Sequence, residues 1–209
     1  MEKNSLRFTK FNAIINNYNK NNELILWEHI NTAIYVSNKI TPINVEYFIC
    51  SNDSIIARSR LSKYFFIDAT FLHPKDYEEL IIIVFKDTLI HEYLPCFYIL
   101  VNNKSEVMYD MIFKSIIKIL TQNNIYRLEV KTITTDTEIA LINAVNNNFP
   151  NAQRIGCWFH LKQDLIRNAR SFGLMNKKNK DVDINLTYDI IKQLSILPLE
   201  YNGNIEYIK

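Results

Sequence analysis

Two aspartates at distant points of the chain occupy positions where acidic side chains can bind divalent cations. Asp68 lies inside the apolar segment KYFFIDATF, residues 63–71, which is typical of a central strand covered on both faces. An ionised carboxylate is costly in such a strand unless it is paired or bound to a metal. Asp136 follows the strand-like segment TITT and comes directly before a predicted helix. Two acids brought together supply the oxygen ligands that suit Mg²⁺.

The two aspartates differ in how well an ordinary structural role explains them. An aspartate after a strand is often a helix N-cap or a turn residue, and Asp136, followed by Thr137 and Glu138, fits that pattern. Capping does not explain Asp68, because this residue lies within its strand. If the two strands are parallel neighbours, ~4.8 Å apart, the two carboxylates can meet. Two cations ~3.5–4 Å apart at such a site suit phosphodiester chemistry.

A cysteine and a histidine three residues apart, Cys157 and His160, form a second candidate motif. This spacing supplies half of a structural zinc site at best, because such a site needs four ligands. Two interpretations stay open. In one, a buried thiol lies beside a packed or hydrogen-bonded imidazole. In the other, the pair is next to an active site and orients water or the scissile phosphate.

The apolar pattern predicts the elements that must position these residues. Three strands, over residues 63–71, 79–85 and 96–101, have short connections and should pair as antiparallel neighbours. A long amphipathic helix follows over residues 105–122, with Ser105 as its N-cap. After it we predict two strands that alternate with two helices, over residues 129–134, 137–146, 152–157 and 159–171.

This β-β-β-α-β-α-β-α order is the ribonuclease H-like layout. A strand that returns after a long helix is a crossover, so the fourth strand should lie parallel to one of the first three. The expected fold class is therefore α/β, with a mixed five-stranded sheet flanked by helices. This core should span residues 61–174.

The rest of the chain is predicted to flank this core. Residues 1–60 should form an N-terminal segment of helices and short strands, and residues 175–209 the start of a helical insertion. Within the N-terminal segment, apolar spacing predicts helices and short β-branched runs predict strands. The predicted helices cover residues 11–18 and 24–36, and the predicted strands residues 45–50 and 54–57.

The composition of the chain excludes several functional classes. Its 209 residues are 48% hydrophobic and 22% charged with a net charge of +2, so charge alone indicates no particular partner. Three cysteines are too few for a disulfide scaffold, and the three glycines form no phosphate-binding loop. No apolar run approaches the ~20 residues that span a bilayer, and the N-terminal sequence lacks the apolar core of a secretory signal. We therefore expect an intracellular protein with no membrane partner.

Taken together, the motifs resemble the transposase domain of Mutator-like elements, the MULE family. The resemblance runs through FFIDATF, then Lys104 and Tyr109, then ITTDTEIALINAVNNNFPNA and GCWFHLKQDLIRNARSFGL, roughly over Tyr64–Leu174. Its specific features are an acid on the first strand, a second acid in a T-D-x-E-x-A context, a C-x-x-H motif and a basic helix.

The resemblance implies a DDE-type transposase of the ribonuclease H-like superfamily, which cleaves DNA and transfers strands with two Mg²⁺ or Mn²⁺ ions. Asp68 and Asp136 match the family's first and second catalytic acids, which bind the metal. Cys157 and His160 match its C-x-x-H signature, whose role we leave open, and Glu138 matches the acid after the second aspartate, without an assigned ligand role. The implied partner is DNA, as transposon ends and target, in the nucleus. A homo-oligomer is left open.

The basic residues of the last predicted helix are weaker candidates for contacts with DNA phosphates. They are Lys162, Arg167 and Arg170, and a solvated helix face explains them slightly better.

The family carries a third acid, a glutamate, downstream of the C-x-x-H helix and its insertion. Up to Lys209 the sequence contains only the start of that insertion, so we expect a catalytic-core fragment without the third acid. Two hypotheses follow, a transposase core or a non-catalytic DNA- or protein-binding module derived from a transposase. A cellular nuclease of the same fold is a third alternative, which the C-x-x-H context disfavours.

Overall fold

A computed structural model describes residues 25–34, 42–70, 77–122 and 125–172 of the chain. The chain divides into two compact units, Met1–Ile155 and Gly156–Lys209. Among the described residues, no helix has both the length and the apolar character that crossing a lipid bilayer requires.

Seven strands and four helices form the described part of the chain. The strands are β1 Ile25–Ile34, β2 Ile43–Ser51, β3 Tyr64–Thr70, β4 Glu79–Lys86, β5 Tyr93–Val101, β6 Thr132–Thr135 and β7 Gln153–Gly156. The helices are α1 Asp53–Ser59, α2 Glu106–Thr121, α3 Ile139–Asn148 and α4 Trp158–Ser171.

The strands form one mixed sheet in the order β1-β2-β5-β4-β3-β6-β7. The pairs β3–β4 and β4–β5 are antiparallel, as predicted for the three central strands. Strand β6 returns after α2 and pairs in parallel with β3, which confirms the predicted crossover. The α/β fold class and the predicted order of elements from β3 to α4 are therefore confirmed.

The predicted strand count was too low, because the sheet has seven strands rather than five. The two additional strands, β1 and β2, pair with each other and extend the sheet beside β5. The helix predicted over residues 24–36 was wrong over Ile25–Ile34, because these residues form β1. Ile30 and Ile34 pack against the core, and a spacing of four residues keeps two side chains on one face of a strand as well as of a helix.

The short strand predicted over residues 54–57 was also wrong, because these residues lie in α1. The Asn52 side chain accepts a hydrogen bond from the Ser54 backbone N–H at 2.9 Å and so caps this helix. This local cap outweighs the strand preference of Ile55 and Ile56. The predicted helix over residues 11–18 and the predicted insertion over residues 175–209 lie outside the described residues.

The hydrophobic core lies between one face of the sheet and helices α2 and α3. Odd-numbered residues of β3 and β4 alternate inward, and they meet a stripe along α2 that includes Tyr109, Ile112 and Phe113. The Ser105 hydroxyl accepts a hydrogen bond from the Met108 N–H at 3.2 Å and caps α2 as predicted. The even-numbered residues of β3 therefore occupy the opposite face of the sheet.

Candidate active site

The parallel pairing of β3 and β6 aligns the two predicted catalytic acids. Phe66 of β3 lies opposite Thr134 of β6 in the register of the two strands. Asp68 follows Phe66 by two residues, and Asp136 follows Thr134 by two residues, just beyond the end of β6. If the same register continued, the two acids would lie opposite each other. Adjacent strands lie ~4.8 Å apart, so this is a separation at which two carboxylates can share cations.

The alternation of side chains also assigns both acids to one face of the sheet. Ile133 and Thr135 are buried, as are Phe65 and Ile67 on the neighbouring strand. Asp68 has the opposite parity and is exposed. Continued past β6, the same alternation assigns Asp136 to this face, and Asp136 is partly exposed. On this alternation both acids are assigned to the face that points away from α2 and α3.

The exposure of Asp68 corrects one sequence argument. We expected an acid buried in an apolar strand, whose desolvation would require a partner or a metal. The structure has Asp68 exposed near the end of β3, so the cost of burial gives no evidence for a metal there. The alignment with Asp136 carries the candidate site instead.

Asp136 lies in a turn, two residues before the N-cap of α3. Glu138, not Asp136, occupies the N-cap position of α3, so the simple capping explanation of Asp136 was wrong. The Asp136 Oδ1 atom accepts hydrogen bonds from the backbone N–H and the hydroxyl of Thr137, the latter at 3.1 Å. Upstream, the hydroxyl of buried Thr135 donates to the Asp136 carbonyl at 2.9 Å, and the Arg154 guanidinium donates to that hydroxyl at 3.4 Å.

A buried polar cluster lies directly downstream of this turn, and we call it the Tyr109 cluster: Glu79, Lys104, Tyr109 and Glu138. The Tyr109 hydroxyl lies 2.9 Å from Glu138 Oε2 and 3.3 Å from Glu79 Oε2. The Lys104 ammonium forms an ion pair with Glu79 Oε1 at 2.5 Å. The cluster therefore joins β4, the loop before α2, α2 itself and the N-cap of α3.

The charges and burial of the Tyr109 cluster shift the pKa values of its members. Burial is the main cause that raises the pKa of Glu138, and the negative charges of Glu79 and Asp136 raise it further, against the hydrogen bond from Tyr109 and the charge of Lys104. Burial, together with the charges of Glu79 and Glu138, raises the pKa of the Tyr109 phenol. The phenol thus keeps its proton and remains a hydrogen-bond donor.

Sequence reasoning missed Glu79 altogether. A charged residue at the start of the apolar run ELIIIVF was a signal that could have drawn attention to it. Lys104 and Tyr109 appeared only as parts of the family resemblance. Their convergence with Glu79 and Glu138 depends on pairings between distant segments, which spacing along the chain does not reveal.

The C-x-x-H motif and the basic residues lie in the second unit. Cys157 occupies the N-cap position of α4 and is half-buried, and His160 lies in the first turn, half-buried, with its ring 5.7 Å from the Phe159 ring. The thiol is therefore less buried than the structural interpretation expected. The two roles proposed for the pair both remain open.

The three basic candidates follow on the same helix. Lys162 is partly exposed, and Arg167 and Arg170 are exposed. The Arg167 guanidinium lies 3.2 Å from the Asp164 carboxylate, which fits a solvated helix face as well as a DNA contact.

The chemistry of the two aligned acids fits divalent cations. Mg²⁺ is commonly held by one or two carboxylates and completes its octahedral shell with water and substrate phosphates. Asp68 and Asp136 provide hard oxygen ligands on a face open to both. Over the described stretches of the chain, no three His, Cys, Asp or Glu side chains are grouped so that they could hold a metal ion.

Comparison with known proteins finds one family model that is similar to this region. Residues 64–164 match the family model described as the MULE transposase domain. No curated protein sequence matches the chain. The match indicates a transposase-related function and implies interaction with DNA in general. Residues 64–164, which contain both candidate acids and the C-x-x-H motif, are therefore similar to the MULE transposase domain family.

Proposed function

We propose that this chain provides the catalytic core of a DDE-type DNA transposase, which carries out metal-dependent DNA cleavage and strand transfer inside the cell, in the nucleus. The observation that supports the proposal is the parallel β3–β6 register, because its continuation by two residues would set Asp68 opposite Asp136. The family match over residues 64–164 supports the same function. The transposon ends and target DNA would be its substrates.

In this proposal Asp68 and Asp136 hold two Mg²⁺ or Mn²⁺ ions. When bound, the ions supply the positive charge that phosphodiester cleavage and attack by a DNA 3′-hydroxyl require. The exposure of Asp68 leaves room for a phosphate to approach, and the contacts with Thr137 orient the Asp136 carboxylate. Lys162, Arg167 and Arg170 would neutralise phosphates of the bound DNA.

The proposal is tested by replacing each acid with its neutral isostere. We expect Asp68→Asn and Asp136→Asn each to reduce Mg²⁺-dependent cleavage of duplex DNA by roughly a thousandfold or more, since several kcal/mol of charge stabilisation is lost. Asp53→Asn is a matched control, because Asp53 is an exposed acid in the first turn of α1. Thermal unfolding of all three variants checks that the fold is retained. Full cleavage activity in either acid variant would refute the assignment.

A second function is a non-catalytic DNA- or protein-binding module derived from a transposase. The observation that favours it is that no three His, Cys, Asp or Glu side chains among the described residues are grouped so that they could hold a metal ion. Titration with Mn²⁺ and with duplex DNA separates the two functions. Binding of both without any cleavage supports the module, whereas cleavage that depends on Asp68 and Asp136 supports the transposase core.

A further inference from the structure

We propose that Tyr109 and Glu138 are positioning residues that hold the turn containing Asp136 in a geometry able to bind cations, an inference that rests on the proposed metal-dependent function. Glu138 acts in this role as a hydrogen-bond acceptor and not as a third metal ligand.

The first step concerns where the single phenolic proton goes. Tyr109 has one proton to donate, and two carboxylates lie within reach of its oxygen. Glu79 is already paired with the Lys104 ammonium at 2.5 Å, and its distance to the Tyr109 oxygen is the longer one, 3.3 Å. The shorter contact, 2.9 Å, is to Glu138. The cluster therefore directs the proton to Glu138.

The second step concerns the position of Glu138 in the chain. Glu138 is the N-cap residue of α3 and follows Asp136 by two residues. Tyr109 is a fully buried residue of α2, so it provides a rigid anchor for this helix start. A second polar contact joins the same two helices, because the Asn143 side chain donates to Glu106 Oε2 at 2.8 Å. The start of α3 is thus fixed against α2.

The third step concerns the other end of the turn. Thr135 is completely buried and its hydroxyl bonds to the Asp136 carbonyl and to Arg154. Asp136 and Thr137 therefore lie between two anchored residues, Thr135 and Glu138. Anchors on both sides reduce the conformational entropy that the Asp136 backbone would lose when its carboxylate binds a cation.

The fourth step separates Glu138 from the metal ligands. Its carboxylate accepts a hydrogen bond from Tyr109, which belongs to the core between the sheet and α2. The alternation of β6, continued to Asp136, assigns that residue to the opposite face, as it does Asp68 on β3. Glu138 therefore bonds on the side of the sheet that α2 covers, and the two acids are assigned to the other side.

The test compares two tyrosine-to-phenylalanine variants of the full chain by Mn²⁺ titration. Tyr109→Phe removes the hydroxyl that bonds to Glu138, and we expect its Mn²⁺ affinity to fall about tenfold, the effect typical of a lost outer-shell partner. Tyr47→Phe is the matched control, since the Tyr47 hydroxyl is also buried and bonds to Ser115 of α2 at 2.9 Å. Thermal unfolding, measured alongside, should show comparable losses in the two variants.

Two Glu138 variants distinguish positioning from direct ligation. Glu138→Gln keeps a side-chain oxygen that accepts the hydrogen bond from Tyr109, so its Mn²⁺ affinity should stay within about threefold of the wild type. Glu138→Ala loses this acceptor, and its Mn²⁺ affinity should fall as far as that of Tyr109→Phe. Equal Mn²⁺ affinities in Tyr109→Phe and Tyr47→Phe would overturn the inference. A Glu138→Gln variant that binds Mn²⁺ as weakly as Asp136→Asn does would also overturn it. If the wild-type chain binds no Mn²⁺, the proposed metal-dependent function fails and the inference with it; unchanged binding in Tyr109→Phe alone leaves that function intact.

Discussion

Removal of the Lys104 ammonium should destabilise the fold through the buried carboxylate of Glu79. The Glu79 side chain is only 4% exposed, and its Oε1 lies 2.5 Å from Lys104 Nζ. Loss of one partner from a fully buried ion pair costs about 3–5 kcal/mol, because an uncompensated charge stays behind. Lys104 is 28% exposed, so solvent screens part of this effect, and we expect Lys104→Met to lose ~2 kcal/mol. For a chain of this size that corresponds to a fall of about 4–8 °C in Tm.

Thermal unfolding followed by circular dichroism at neutral pH measures this loss. Lys114→Met is the control, because Lys114 is an exposed lysine of α2 whose substitution should cost less than about 0.5 kcal/mol. The double variant Glu79→Gln with Lys104→Met removes the unpaired charge and should recover much of the lost stability. A Tm for Lys104→Met equal to that of Lys114→Met, or no recovery in the double variant, would refute the reasoning.

Two further predictions concern the frame around the site. The Arg58 guanidinium, 2.6 Å from Asp87, and the Leu89 and Ile90 N–H groups hold the pKa of the Asp87 carboxyl below its usual range. The contribution of this carboxylate to stability is therefore fully present above the unfolded-state pKa of about 3.9 and is lost as the pH falls through the folded-state pKa. Unfolding free energies measured across the acid range should show this loss in the wild type and not in Asp87→Asn. Ser105→Ala removes the N-cap of α2 and should lower the unfolding free energy by about 1 kcal/mol in urea titrations, while Ser105→Asp, which restores a cap acceptor, should not.

The sequence was most informative where apolar patterning and element length agree. From β3 to α4, each predicted element lies within a few residues of the observed one, because long apolar strands and a single 16-residue amphipathic helix leave few alternatives. The crossover rule predicted that the fourth strand lies parallel to one of the first three, and β6 pairs in parallel with β3. Asp68 and Asp136 were expected to meet on condition that these two strands are neighbours, and β3 and β6 are neighbours.

The errors arose where local signals were ambiguous or the deciding contacts were distant. The spacing of Ile30 and Ile34 fits both a helix and a strand, and only pairing with β2 selects the strand. The exposure of Asp68 depends on which elements cover the sheet there, which the strand's own sequence does not encode. The hydrogen bond between Tyr109 and Glu138 joins residues 29 positions apart, so it can form only after α2 and the start of α3 have come together.

The alternation of side chains in β6 makes the site sensitive to chain length. Thr134 and Asp136 share a face because an even number of positions separates them. Insertion or deletion of one codon between them would transfer the carboxylate to the side of the sheet that α2 and α3 cover, although both aspartates would still be encoded. Such an in-frame length change would disable the acid pair as completely as substitution of an aspartate, and an inventory of residue types would not detect it.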